Sequence, residues 1–129
     1  MINSSAYNYI NVLDKAADAS WLRESAITNN IANVDTPGYK RQDVDFEGLL
    51  KTELRRSKYE SLDNKVKNIH LNHLNAKTYT DSANYSYRLD DNNVDIDTEE
   101  VELASEQLRY TGLANSITHE FTRLKSVMG

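Results

Sequence analysis

Small or apolar side chains recur at alternating steps of four and three at both ends of this chain, and that rhythm restricts the fold more than any other feature. At the N-terminal end the stripe runs Ala6, Ile10, Leu13, Ala17, Ser20, Ile27 and Ile31, with Glu24 as its one charged interruption. At the C-terminal end Leu103, Gln107, Tyr110, Ala114, Ile117, Phe121, Leu124 and Met128 keep the same step. Such spacing lays a narrow stripe along one face of an α-helix. The first stripe is rich in small residues, which favours close approach of a second helix. About 30 residues per helix at 1.5 Å each make rods about 45 Å long. Asn3, Ser4 or Ser5 is a candidate cap for the first helix, and Asp97 with Glu100 forms a capping box for the second. Glu99 and Glu100 suit the positive end of the helix dipole, while Gly112 costs about 1 kcal/mol relative to alanine.

The first helix has a fixed stop. Pro37 is the only proline, and a proline disfavours helical backbone at the residue before it, so the helix ends by Asp35. Pro37-Gly38 suits the centre of a type II turn, and Asn30, Asn33 and Asp35 can bond nearby backbone and unwind the helix end.

The middle is less regular. Arg41 to Phe46 alternates polar and apolar residues as a short extended arm does, and Glu47 to Leu54 fits a helical turn or two carrying Leu49, Leu50 and Leu54. Residues 55–80 sustain no period, so a surface-lying, partly disordered excursion is expected. Tyr85, Tyr87 and Leu89 alternate after Tyr79, which suggests a strand and a hairpin with the earlier arm. Asp90-Asp91-Asn92-Asn93 is a turn. The expected architecture is mainly α: an N-terminal helix within 1–35, a turn, extended and irregular segment over 36–97, and a C-terminal helix within 98–129. The two helices pair as one antiparallel, coiled-coil-like hairpin.

Composition removes several functions. A net charge of -5 with no clustered basic surface argues against nucleic acid, whose binding draws on counterion release. Without cysteine there is no disulfide, thiolate nucleophile or cysteine-ligated zinc. No apolar run approaches the roughly 18 residues of a membrane span, and the N-terminus has no basic-then-apolar leader. Export, if it occurs, is expected to proceed without a cleaved signal. The sequons at Asn3 and Asn84 therefore carry little weight.

Chemistry has no visible foundation either. Asp91, Asn93, Asp95 and Glu102 occupy positions one, three, five and twelve of an EF-hand-like pattern, but the glycine required at position six is Ile96. His70 and His73 lack a third ligand at useful spacing, and no Gly-x-Ser-x-Gly context or Gly-rich phosphate loop exists. No cofactor, no metal and no small-molecule substrate are expected.

The junction itself is distinctive. Asn30-Ile31-Ala32-Asn33 followed by Thr36-Pro37-Gly38-Tyr39-Lys40, preceded by Arg23 and followed by Asp43-Val44-Asp45-Phe46, resembles the N-terminal signature of flagellar basal-body rod proteins. Asn92-Asn93-Val94-Asp95-Ile96-Asp97 with Glu99 resembles the stretch before the C-terminal helix of that family, and Leu108-Arg109-Tyr110 with Phe121 and Leu124-Lys125 resembles the helix itself. One departure is Asp91, where the family usually has glycine in an Asp-Gly-Asn turn.

That resemblance implies a non-enzymatic structural subunit of the proximal rod in the flagellar basal body. Subunits of this family stack with one another and with other rod and basal-body proteins into an axial tube that transmits torque and conducts exported subunits. It also implies a flagellar type III export apparatus as a partner. Phe46 with Leu50 resembles a short aromatic-to-apolar export motif. The helix-pairing interface is expected to set Ile10, Leu13, Ala17, Ile27 and Ile31 against Leu103, Tyr110, Ala114, Ile117, Phe121 and Leu124, with Tyr39 and Phe46 anchoring the turn. A soluble helical-hairpin adaptor or export chaperone is the competing class.

Overall fold

A computed structural model describes residues 2–56, 60–81 and 88–128, with side chains from residue 6 onward. Helix α1 spans Ile2–Ala32 and helix α4 spans Ile96–Met128, and the two pack along each other in antiparallel sense. Between them lie strand β1 (Gln42–Val44), helix α2 (Glu47–Arg55), helix α3 (Leu62–Lys67), a 3-10 turn (Leu71–Leu74) and strand β2 (Thr78–Thr80).

Helix α1 is the hub. Helix α4, both strands, α3 and the 3-10 turn all pack on it, and α2 reaches the body through the 3-10 turn. Two parallel stripes make this possible. Ser20, Ile27 and Asn30 are buried on one stripe, and Ala19 and Ala26 on the next. The alanines let β1 come close, so Val44 joins them in a small core bordered by Leu22, Phe46 and Ala76. Toward the far end of the pair Ile10 and Leu124 are buried, while Leu13, Ala17, Leu113 and Ile117 are half-buried.

The excursion expected to lack regular structure holds short elements. Ser61 caps α3 by accepting from Asn64 N–H, Val66 and Leu74 are buried, and exposed hydrogen bonds from Tyr9 to Asp63 (2.7 Å) and Lys15 to Asn75 (2.5 Å) fasten the segment to α1. Elements of six residues or fewer have too little length to register as a period, which is why the sequence pattern missed them. Strand β2 pairs antiparallel with β1, Asp43 facing Tyr79. Tyr85, Tyr87 and the sequon at Asn84 lie outside the described residues, as do the side chains of Asn3, Ser4 and Ser5.

Two further differences have clear causes. The cap of α4 is Asp95, whose carboxylate accepts from the N–H groups of Asp97 and Thr98 at 3.1 and 3.4 Å, rather than Asp97. On α4 the seam is rotated from the expected stripe. Glu99 and Glu106 are only 1% and 2% exposed, whereas Gln107 faces solvent and Phe121 is 51% exposed. Cations on α1 and the arm draw the carboxylates inward, and that turns Gln107 and Phe121 toward the edge.

Candidate functional site

The residues of the junction motif and the residues before α4 meet in one clasp. Asn30, fully buried, stands in for a strand residue: its amide oxygen accepts from Gln42 N–H and its amide nitrogen donates to Gln42 carbonyl, both at 2.8 Å. The same oxygen accepts from the Tyr39 hydroxyl at 2.9 Å, and the same nitrogen donates to Glu99 Oε2 at 3.2 Å. All four hydrogen-bonding positions of the amide are therefore filled. Burial and the charge of Glu99 both push the Tyr39 hydroxyl pKa upward.

Two arginines close the clasp. Arg41 donates to Glu99 and Asp81, both at 2.6 Å, and sits 3.3 Å from Asp43. Arg23 donates to Asp43 at 2.8 Å, to Glu102 at 2.8 Å and to Glu106 at 3.0 Å. Burial works against both guanidinium charges, yet the carboxylates outweigh it and raise both pKa values further. Burial likewise opposes ionisation of Asp43, but hydrogen bonds from Arg23 and Val44 N–H, with the charges of Arg23 and Arg41, hold it below the usual carboxylate range. Among the described residues no buried side-chain polar atom lacks a partner. A buried ionic cluster is tolerable only under that condition.

The loop before α4 completes the closure. Asn92, also fully buried, directs its amide nitrogen at the carbonyls of Asn33, Val34 and Thr36 (2.8, 3.1 and 2.9 Å), in the turn just past the end of α1. Asn93 accepts from Arg41 N–H at 2.8 Å and donates to Asp81 carbonyl at 2.6 Å. Tyr39 N–H donates to Thr36 carbonyl at 3.2 Å across Pro37-Gly38, and Gly38 has φ +75°, as the third position of a type II turn requires. Asp91 takes φ +60°, the left-handed conformation in which a non-glycine residue is strained.

The motif residues thus divide by role. Asn30 and Tyr39 are internal fasteners, Asn33 donates back to Asn29 carbonyl, Ile31 is half-buried, and Ala32, Thr36, Pro37 and Gly38 are exposed on the turn. Of the residues proposed for helix pairing, Ile10, Ile27 and Leu124 are buried; Leu13, Ala17, Ile31, Leu103, Tyr110, Ala114 and Ile117 are half-buried; Phe121 lies outside the seam. Trp21 stacks obliquely on Tyr110 with centroids 6.1 Å apart. Phe46 borders the small core, and its carbonyl accepts from Leu50 N–H at 2.9 Å. The pattern of apolar residues did not reveal the carboxylate stripe Glu99, Glu102 and Glu106. Their own spacing of three and four was the available signal.

The competing ligand patterns come apart. Asn93, Asp95 and Glu102 serve the arm, the α4 cap and Arg23 respectively, and His73 sits 2.8 Å from Glu53 and 3.1 Å from Arg56. Among the described residues no group of three His, Asp or Glu side chains is arranged to hold a metal ion, and no helix is long and apolar enough to cross a membrane.

Comparison with known proteins identifies the family. The family model described as "Flagella basal body rod protein" matches residues 15–40, the stretch from the middle of α1 through the turn. The flagellar basal body rod protein FlgB of Bacillus subtilis is 34% identical over 90% of this chain and 89% of its own length. The FlgB of Borrelia hermsii is 35% identical over 95% of this chain and 92% of its own. The chain belongs to the FlgB family of flagellar basal body rod proteins. The FlgB of Escherichia coli is 29% identical over 82% of each chain. A rod subunit is a structural part, and the FlgB family does not favour the adaptor or chaperone alternative.

Proposed function

We propose that this chain, a structural subunit of the basal-body rod by its family, works by presenting a pre-clasped helix pair to its neighbours in the axial tube. The observation that carries this is the division of α4. Its inner side is pinned by Glu99, Glu102 and Glu106, while Val101, Leu108 and Phe121 remain 69%, 75% and 51% exposed on other faces. Exposed apolar side chains on a helix already held in place suit docking to further helices. Copies of the chain would stack head to tail as well as against other rod proteins, since contacts that do not close into a ring build a tube. Ile10, Leu13, Ala17, Ile27 and Ile31 against Leu103, Tyr110, Ala114, Ile117 and Leu124 would carry the pairing in the assembly. The subunit acts without catalysis.

Delivery by the flagellar type III apparatus without a cleaved signal is part of the same reading. Phe46 and Leu50 would be read before folding, because Phe46 is half-buried against the core once the arm has docked. Deletion of the gene is expected to abolish swimming and remove the rod from basal bodies seen by electron microscopy. Complementation with the intact chain restores both, and normal swimming in the deletion strain would overturn the assignment. A Phe46→Ala chain is expected to be secreted less, and unchanged secretion would remove Phe46 from the export step.

A further inference from the structure

Beside the clasp, α1, α4 and the arm enclose an open groove of about 500 Å³. Its floor is Ala16, Ala19 and Ser20, and Phe46 and Leu113 form apolar walls. Five carboxylates (Asp43, Asp45, Glu47, Glu102, Glu106) line it against two guanidiniums (Arg23, Arg109), an excess of three negative charges. The innermost pairs are satisfied within the chain. At the mouth, however, Glu47 and Arg109 form a 3.1 Å pair with side chains 70% and 49% exposed, and Asp45 is exposed. A screened pair of that kind contributes little and yields readily to a competitor.

The same chain carries the complement. Lys51 and Arg55 are one helical turn apart on α2, both are exposed, and neither makes an ion pair with a described residue. Lys51 stands one turn from Glu47 on the same helix face, within reach of the mouth, whereas Arg55 lies two turns away. Helix α2 starts at the groove with Glu47 and runs nine residues away from it, about 13 Å at 1.5 Å per residue. We propose that the groove receives the cationic C-terminal end of α2 from a second copy of this chain. Lys51 and Arg55 of that copy meet Glu47 and Asp45 at the mouth. The contact joins two different surfaces, so it repeats in one direction and leaves each end free to add another copy. This assignment rests on the self-association put forward above and names the surface responsible.

Charge exchange on the full chain tests it, with sedimentation velocity over a concentration series at low and high salt. Wild-type chain is expected to associate, and to do so less at high salt. Glu47→Lys and Arg55→Glu, each checked for intact helix content by circular dichroism, are each expected to weaken association about tenfold. An equimolar mixture of the two variants restores it, because each altered surface then finds its opposite. If wild type associates and both variants match it, the groove assignment is overturned while self-association stands. If wild type remains monomeric throughout, self-association and this contact fall together. If Glu47→Lys abolishes binding of another rod protein and leaves self-association untouched, the occupant is that protein and the second-copy assignment is overturned.

Discussion

The two ends of the helix pair are held by different physics. Near the turn, Asn30, Arg23 and Arg41 bind Glu99, Glu102 and Glu106 through directed hydrogen bonds that admit one register. Toward the termini, Ile10, Leu13 and Ala17 on α1 and Leu113, Ile117 and Leu124 on α4 offer apolar contact, whose strength follows buried area and is insensitive to direction. The junction therefore specifies how the helices align, and the far end adds adhesion that a neighbouring subunit can also supply. A slide by one turn costs little at the far end. At the junction it strands buried charges.

The sharpest way to break the contrast is Arg23→Ala. It leaves Glu106, 2% exposed, without its closest cation, and a loss of about 3–5 kcal/mol is expected in urea unfolding. A loss below about 1 kcal/mol would show that the ionic seam is incidental. Next, Leu124→Ala should cost about 2–3 kcal/mol by the same measurement while leaving amide exchange near Asn30 unchanged, because only adhesion is lost. Faster exchange at the junction would tie the two ends together. Asn30→Ala, which orphans Gln42 N–H and carbonyl, is expected to cost about 2 kcal/mol and to raise exchange in β1 selectively.

Acid is expected to weaken the junction. The folded-state pKa of Asp43 is depressed, so its contribution is fully present above the ordinary value of about 4 and is lost as pH falls toward the folded value. Stability measured from pH 6 to pH 2 should therefore drop below about pH 4 in the wild type and more shallowly in Asp43→Asn. The smallest effect is expected from Asp91→Gly. Relieving a left-handed aspartate should stabilise by about 1 kcal/mol, and a loss instead would mean that the side chain has a role the backbone strain conceals.

Much of the architecture was legible because it is local. Periodicity placed both long helices, Pro37 ended the first, Pro37-Gly38 specified its turn, and alternation over Arg41 to Phe46 marked the arm. The rotation of α4 was not legible, since Gln107 and Phe121 fit the apolar rhythm as well as Glu106 and Leu113 fit the real seam. Which stripe faces inward depends on cations that lie about 60 and 80 residues away in sequence. Short α3 and the 3-10 turn were invisible for the related reason that their order comes from packing Val66 and Leu74, rather than from any pattern of their own.

By itself the sequence determined two long helices, where the first must stop, and a junction motif that marks the rod family, because helix periodicity and proline sterics act within a few residues. Only the tertiary structure decided that Asn30 replaces a strand partner and that Asn92 seals the end of α1. It also buried Glu99 and Glu106 at the centre. Each of those choices is made by matching a donor to an acceptor far along the chain, and burial makes a mismatch too costly to tolerate.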